Sequence, residues 1–389
     1  MPIAAARIAA DLEHMLYLDH AATTPIRPEV GEAMAPYLGD RFGNPSGIHG
    51  TARGAKNSIE EARERIAASI GAASPLEIVF TSGGTEADNL ALIGAAIRGA
   101  GGVVATAVEH PAVLESVRFL SRLGNEVTIV SVDSAGRVSP DAIANVIGDD
   151  TSVVSVMTAN NETGVIQPVT EVARLVRSVN ERTLVHTDAV QSFGSLPVDV
   201  SENGSDLISV SGHKIGGPQG AGFLYVRDGI HLEPVIYGGG QELGRRSGTH
   251  NVTGIVGLSI AVESAVADRS DYRERVGAAR DRFEHDLRSR VTVEITAGDA
   301  NRLVSHAHVW FPGIPAETLL VRLDFAGVAA AAGAACHSGA IQESHVLAAM
   351  GIDNKKASES VRFSFGRDDD AGTGTEAARI VSRVVEDLS

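Results

Sequence analysis

Cysteine is all but absent from this 389-residue chain, where Cys336 stands alone. One thiol excludes an internal disulfide and any zinc or iron–sulfur cage built from several cysteines of a single chain. Basic residues are in deficit: Lys plus Arg number 33 against 49 for Asp plus Glu, a net charge of −16. That balance argues against direct nucleic-acid binding over a broad surface, while leaving room for a local basic patch. No apolar run is long enough to cross a bilayer, and the first fifteen residues lack the basic head, apolar centre and small-residue cleavage site of a secretory signal. The expectation is a cytoplasmic protein with no membrane contact. Internal repeats are absent too. What remains, 43% hydrophobic and 21% charged, is a globular composition on a chain long enough for two domains.

The rest of the chain is arranged around Asp206-Leu207-Ile208-Ser209-Val210-Ser211-Gly212-His213-Lys214. Its apolar, β-branched residues predict a buried strand that Ser211-Gly212 ends just before His213 and Lys214. A lysine at a strand end, with the glycine-rich run Ile215 to Gly222 leaving space around it, suits an amine that forms a Schiff base with an aldehyde. Burial there would lower its pKa by desolvating the ammonium and so favour the nucleophilic neutral form. The segment alone leaves open the plainer alternative of a surface lysine in a turn.

Glu77 to Thr81, Val103 to Ala107, Asn125 to Ser131, Thr151 to Met157 and Leu184 to Thr187 are predicted strands, with helices from Glu86, around Asp141 to Ile147 and over Val169 to Asn180. This alternation predicts an α/β fold with a mostly parallel sheet covered on both faces, whose ligands sit beyond the carboxyl ends of the strands. His110, Asn161, Asp188 and Lys214 each follow a β-rich segment, and together they mark one rim of the sheet. Ser82-Gly83-Gly84-Thr85 joins a strand to a helix N-terminus, whose free N–H groups and dipole suit a phosphate. An ordinary turn with Thr85 as helix cap is the alternative.

Elsewhere, Ile59, Ala62, Ile66 and Ile70 share one helix face, with Glu60, Glu61, Arg63, Glu64 and Arg65 facing water. Ile236 to Asn251 is a second glycine-rich, basic loop that either cradles an anion or is simply mobile. Ser360 to Phe365 is a predicted strand carrying Arg362, and Thr373 with Glu376 predicts a capping box for the last helix. Ala329 to Ala335, almost entirely Ala and Gly, leads into Cys336. Either it packs closely around a buried thiol, or it is a loop that carries a sulfur nucleophile. Residues 1–15 are a lead-in with no assigned function.

Ten short stretches occur along the chain in a fixed order. They are Tyr17-Leu18-Asp19 with Ala21-Ala22-Thr23-Thr24-Pro25, Asn44-Pro45-Ser46, Thr81-Ser82-Gly83-Gly84-Thr85-Glu86, Glu109-His110-Pro111, Asn160-Asn161-Glu162-Thr163-Gly164, His186-Thr187-Asp188-Ala189-Val190-Gln191, Ser211-Gly212-His213-Lys214, Arg245-Arg246-Ser247-Gly248-Thr249, Ala335-Cys336, and Arg362-Phe363-Ser364-Phe365-Gly366-Arg367. As a set they resemble the pyridoxal-phosphate-dependent cysteine desulfurases of the fold-type I, class V aminotransferase superfamily, from about Leu16 to near the C-terminus. The resemblance implies a mostly parallel, seven-stranded-type sheet in a large cofactor-binding domain, residues 16–262. It also implies a smaller α+β domain, residues 263–389, carrying the cysteine loop, with residues 16–24 packed against it.

The resemblance further implies that Lys214 holds pyridoxal 5'-phosphate as a Schiff base. Gly84, Thr85, Ser211 and His213 would bind the phosphate, with Thr249 reaching across from the partner subunit of a homodimer. His110 would stack on the ring and handle protons, Asp188 would pair with the pyridinium nitrogen, and Gln191 and Asn161 would contact the ring oxygen. Arg362, beside Asn161, would clamp the substrate carboxylate. The implied reaction removes sulfur from L-cysteine. Lys214 shifts the α-proton, the Cys336 thiolate takes the sulfur as a persulfide, L-alanine leaves, and the sulfur passes to an acceptor protein. The spacing from Cys336 to Arg362 is similar to that of the branch with a long cysteine loop, whereas Ala332 to His337 departs from its usual Ser-rich lead and its Thr after the cysteine. A selenocysteine lyase, or a class V lyase or aminotransferase that does not use Cys336, would share the cofactor site. Iron–sulfur cluster assembly, tRNA thiolation, DNA phosphorothioation and biosynthetic sulfur transfer all draw on this enzyme type.

Overall fold

The computed structural model describes residues 15–332 and 343–389; the lead-in 1–14 and Cys336 lie outside the described residues. After the short β1 (Leu16–Tyr17), seven strands build the main sheet: β2 (Ile78–Thr81), β3 (Gly102–Thr106), β4 (Val127–Val130), β5 (Thr151–Ser155), β6 (Leu184–Asp188), β7 (Leu207–Ser211) and β8 (Gly222–Val226). Their order is β2-β8-β7-β6-β5-β3-β4. Neighbours pair in parallel except on the two sides of β8, which runs against both β2 and β7. Strands buried on both faces read as unbroken apolar runs, and Gly222-Phe223-Leu224-Tyr225-Val226 is one, buried throughout. Its apolar run marks a strand that the preceding glycines obscured.

Helices cover both faces. Gly84–Gly99 and Pro111–Arg122 pack on one through Ala87, Leu90, Ala91, Val113 and Val117. Gly50–Ser69 and Val252–Ala267 pack on the other through Ile59, Ile66, Leu258 and Val262. On the first of these two, Arg63 departs from the predicted water-facing stripe. It is buried, because its guanidinium binds the Glu242 carboxylate at 2.7 and 2.8 Å. The same contact ties down the basic loop 236–251.

A second core lies around β10 (His306–Trp310), which pairs antiparallel with β9 (Glu294–Ile295) on one side and β12 (Ser360–Ser364) on the other. Helices Arg269–Arg290 and Ala371–Glu386 cover that sheet, and Phe283, Phe311, Phe363 and Phe365 fill the space between. The final helix is capped three residues earlier than predicted. Asp370 accepts from the Gly372 and Thr373 amides, so Thr373 is the third helical residue of the box and not its start. β1 pairs with β11 (Val328–Ala329), and Leu18 belongs to this second core despite its place near the beginning of the chain. No helix among the described residues is long and apolar enough to cross a membrane.

Candidate active site

A cavity of about 1060 Å³ opens beyond the carboxyl ends of the parallel strands. Gly84, Thr85, His110, Asn161, Asp188, Gln191, Ser211, His213, Lys214 and Arg362 all line it. Thr249 does not: it is an exposed residue on the 236–251 loop, outside this chain's own cavity. Cys336 lies outside the described residues.

β7 delivers Lys214 directly. A 3-10 turn, Gly212–Lys214, follows Ser211, and glycine is required at its start because a Cβ there would lie 3.0 Å from the Ala221 carbonyl oxygen and 3.1 Å from that of Pro218. Lys214 Nζ donates to the carbonyls of Ala21 and Ala22, the latter at 2.7 Å. Burial, with Arg362 nearby, brings the lysine down to about 8 from 10.5, against the opposing pull of Asp19 and Asp188. An amine of this kind is a nucleophile near neutral pH.

Asp188 ends β6. Its Oδ1 accepts from the Val190 amide at 2.8 Å, while its other oxygen takes no hydrogen bond among the described residues. Burial, then the neighbouring Asp88, raise it to about 6. A buried carboxylate short of donors at the floor of a cavity fits a cationic N–H. His110 caps the helix Pro111–Arg122: its Nδ1 accepts from the Ala112 amide at 3.1 Å, which leaves Nε2 to carry the proton. Burial lowers its pKa, so the ring is a neutral N–H donor.

At the opposite end, Gly84–Gly99 begins with no side-chain cap, and its first-turn N–H groups have no intrahelical partner. Gly83 has φ +154° at the entry, and a Cβ on Gly84 would sit 2.7 Å from Val190 Cγ2. The backbone at this terminus is pressed against the cavity wall, leaving amides for an anion. His213, whose Nδ1 meets Thr23 Oγ1 at 3.1 Å, is lowered to about 4 by burial and by Lys214, and therefore contributes hydrogen bonding and no charge.

Arg362 comes from β12 and crosses to the cavity. One guanidinium nitrogen donates to the Asn161 carbonyl at 2.9 Å and another to Asp19 Oδ1 at 2.7 Å, while Nε is buried with no partner among the described residues. Gln191 donates to the Ala21 carbonyl at 2.8 Å, so residues 19–22 brace three of the cavity's side chains. Pyridoxal phosphate fits these residues: an uncapped helix end for the phosphate, a carboxylate short of donors for the ring nitrogen, and a depressed lysine for the aldehyde.

Two contributors were not visible in the sequence reading. Asp19, given above only within the first of the ten stretches and with no role, is the partner of Arg362. Asp88 lines the cavity floor from the helix Gly84–Gly99. Its sequence signal is weak, because Glu86 and Asn89 beside it are only partly buried; what marks Asp88 is that it falls on the same helix face as Ala91 and Leu92, three and four residues on.

Residues 16–372 match the family model described as aminotransferase class-V. The cysteine desulfurase IscS of Dictyoglomus turgidum is 43% identical over 360 residues, covering 91% of this chain and 90% of that protein. The cysteine desulfurase IscS of Methanosarcina thermophila is 41% identical over 376 residues, or 96% and 92% of the two chains. Among solved structures, a NifS-like protein superposes with a TM-score of 0.90 at 36% identity, covering 96% of this chain and all of the other. SspA in complex with cysteine gives 0.80 at 34% identity, covering 91% and 99%. With a sheet, a lysine turn and a cavity of this arrangement, and relatives at this identity over nearly the whole length, the chain belongs to the class-V aminotransferase family, among its pyridoxal-phosphate-dependent cysteine desulfurases.

Proposed function

We propose that this enzyme takes sulfur from L-cysteine, releases L-alanine and carries the sulfur as a persulfide on Cys336 to an acceptor protein. The observation that carries the reading is the convergence, on one cavity, of a depressed lysine, an under-donated carboxylate, an uncapped helix end and an arginine brought in from the second core. The relative solved in complex with cysteine supports the substrate class.

Bound pyridoxal phosphate supplies an aldehyde for amines and an electron sink for the substrate Cα. Gly84, Thr85, Ser211 and His213 would hold its phosphate, Asp188 its ring nitrogen, and Asn161 and Gln191 its ring oxygen, with His110 against the ring. Arg362 binds the substrate carboxylate; Nε has no competing partner among the described residues, and its two terminal nitrogens are oriented by Asp19 and Asn161. Lys214, about half neutral at pH 8, takes the proton from the substrate Cα and, as the ammonium, can give it back two bonds away on the far side of the substrate nitrogen. His110 Nε2–H stands ready to protonate. The Cys336 thiolate attacks the substrate sulfur; the Cβ–S bond breaks, its electron pair stays with Cβ, and protonation there, with return of the shifted proton to Cα through Lys214, gives alanine.

We place the chain in the cytoplasm as a homodimer. Leu38, Phe42, Ile48, Tyr237 and Leu243 are strongly exposed apolar residues on the loops 35–48 and 236–250, a surface suited to a second copy, and the latter loop would carry Thr249 into the partner's cavity. Two domains, 16–262 and 263–389, fit the two cores. Leu18 packing in the second core supports the attachment of residues 16–24 to the smaller domain, while Ala265, which packs on the first core, favours a joint a few residues after 262.

The test measures sulfide and alanine release from L-cysteine with a reducing thiol present, in wild type and Cys336→Ala, alongside visible absorbance. Both proteins should hold the cofactor, and only wild type should release both products. Equal activity in Cys336→Ala would move the function to another carbon–sulfur lyase.

A further inference from the structure

Beneath the cavity floor a row of polar side chains runs through the otherwise apolar sheet. Ser155 on β5 and His186 on β6 are direct partners in register, as are Asp188 on β6 and Ser209 on β7. His186 is fully buried, with Nδ1 2.9 Å from Ser155 Oγ and Nε2 3.0 Å from Ser209 Oγ. Ser155 Oγ in turn lies 3.5 Å from Glu109 Oε2. Asp88 closes the row from the helix above. Its side chain is 1% exposed, and its Oδ1 stands 3.5 Å from His186 Nε2 with no hydrogen bond.

Oxygens of Asp88 and Asp188 and a ring nitrogen of His110 lie within 4.8 Å of one another. Two buried carboxylates this close do not both ionise without cations to match, and one retains a proton. The titratable groups facing Asp88 are Asp188 and His186 from β6, His110 from the next helix, and Glu109 before it. None is a standing cation. Burial lowers both histidines, His186 to about 4, and raises Glu109 to about 8. Asp88 itself is raised to about 7 by burial, with Ser209 alone opposing. Asp188 has the stronger claim to the negative charge, since it accepts the Val190 amide, whereas Asp88 Oδ1 has no hydrogen bond among the described residues.

We propose that Asp88 is a positioning residue that remains a neutral acid in the loaded enzyme, with its proton directed at His186 Nε2, and so leaves Asp188 the sole anion beneath the cofactor nitrogen. This rests on the reading of Asp188 as that nitrogen's partner. In this arrangement the Nε2 lone pair goes to Asp88, the Ser209 hydroxyl turns from Nε2 to the Asp88 carboxyl, and His186 donates from Nδ1 to Ser155, whose hydroxyl turns to Glu109. The row then satisfies the Asp88 oxygen left without a partner, and it fixes the tautomer of His186.

The experiment is an infrared difference spectrum, wild type minus Asp88→Asn, recorded on the cofactor-loaded proteins at neutral pH. Other protonated acids, Glu109 included, cancel. A carbonyl band of a protonated carboxylic acid should be present in wild type and missing from the variant, and Asp88→Asn should retain the cofactor, since the amide keeps the shape and neutrality of the acid. Absence of the band, or loss of most of the cofactor from Asp88→Asn, overturns the proposal, because Asp88 then acts as an anion. If Asp88→Asn fails to fold, ¹³C-carboxyl NMR of wild type labelled at aspartate decides the protonation state instead.

Asp88→Leu keeps bulk but not hydrogen bonding, and should bind pyridoxal phosphate about tenfold more weakly, in line with the loss of one buried hydrogen bond; binding equal to wild type overturns the positioning role. In parallel, Asp188→Asn should lose the cofactor. If it does not, the reading of Asp188 fails, and the Asp88 band reports separately on Asp88.

Discussion

Glu242→Gln removes a charge from the most enclosed ion pair of the large sheet's edge, and its cost follows from the structure by two routes. The Glu242 side chain is 1% exposed and that of Arg63 is 7%. Two guanidinium nitrogens meet the two carboxylate oxygens, the Phe80 amide donates at 2.9 Å, and His250 Nε2 approaches at 2.7 Å. Removing one charge of a buried pair strands the other, which costs about 3–5 kcal/mol. By linkage, burial alone would raise the Glu242 carboxyl, but the hydrogen bonds from Arg63 and His250 prevail and bring it to about 2 from 4.5. A shift of that size, at about 1.36 kcal/mol per pKa unit, is worth roughly 3 kcal/mol. Because the folded value lies below the unfolded one, this stability is fully present above about pH 4.5 and is lost as the pH falls towards 2.

Urea unfolding of wild type and Glu242→Gln, followed by circular dichroism at one protein concentration, should differ by about 3 kcal/mol at pH 7. The difference should hold level down to about pH 5 and shrink below 4.5. A difference under about 1 kcal/mol at pH 7, the value of a surface pair, would refute the reasoning, as would one that grows on acidification. Glu242 and Leu243 also sit at φ +51° and +57°, a left-handed backbone that non-glycine residues hold only when neighbours enforce it. Amides of the 236–250 loop should therefore exchange with solvent faster in the variant.

Gly84→Ala would place a methyl 2.7 Å from Val190 Cγ2; overpacking of about 1–3 kcal/mol at the phosphate end should weaken pyridoxal phosphate binding about tenfold in equilibrium dialysis, and unchanged affinity would remove that helix end from the site. In cofactor-free protein, the rate at which added pyridoxal phosphate develops visible absorbance should climb with pH, pass half its maximum near 8, where Lys214 loses its proton, and level off above that. A climb continuing to above pH 10 would show the lysine to be solvated.

Much of this was legible in the chain. Lys214, Asp188 and His110 announced themselves because each lies at or just after the end of a strand, Asp188 closing β6, Lys214 the turn after β7 and His110 capping the helix after β3, and parallel strands deliver their ends to one rim. The misreadings share a cause, which is that their decisive partners are distant in sequence. Arg63 looked like one more charge on a wet helix face, and only Glu242, 179 residues away, takes it inside. β8 was hidden behind glycines that serve the lysine turn, and Asp370 was passed over because Thr373 and Glu376 match the same cap pattern one turn on. Asp19 gains its meaning from Arg362, 343 residues later.

That last separation places the site in time as well as in space. The Ala21 amide binds Ser364 Oγ at 2.8 Å, Asp19 bridges to Ser364, and β1 waits for β11. At roughly 5–20 residues per second, the first of these partners leaves the ribosome about 20–70 s before the second. The carbonyls that receive Lys214 thus belong to a segment whose own seat is made last. The lysine, the helix Gly84–Gly99 and every strand of the seven-stranded sheet precede β12 in the chain, yet Arg362 and Ser364 reach residues 19–21 only when β12 emerges. Synthesis order thus separates the main sheet, whose last strand ends at Val226, from the bracing of its cavity, which needs residues 360–364.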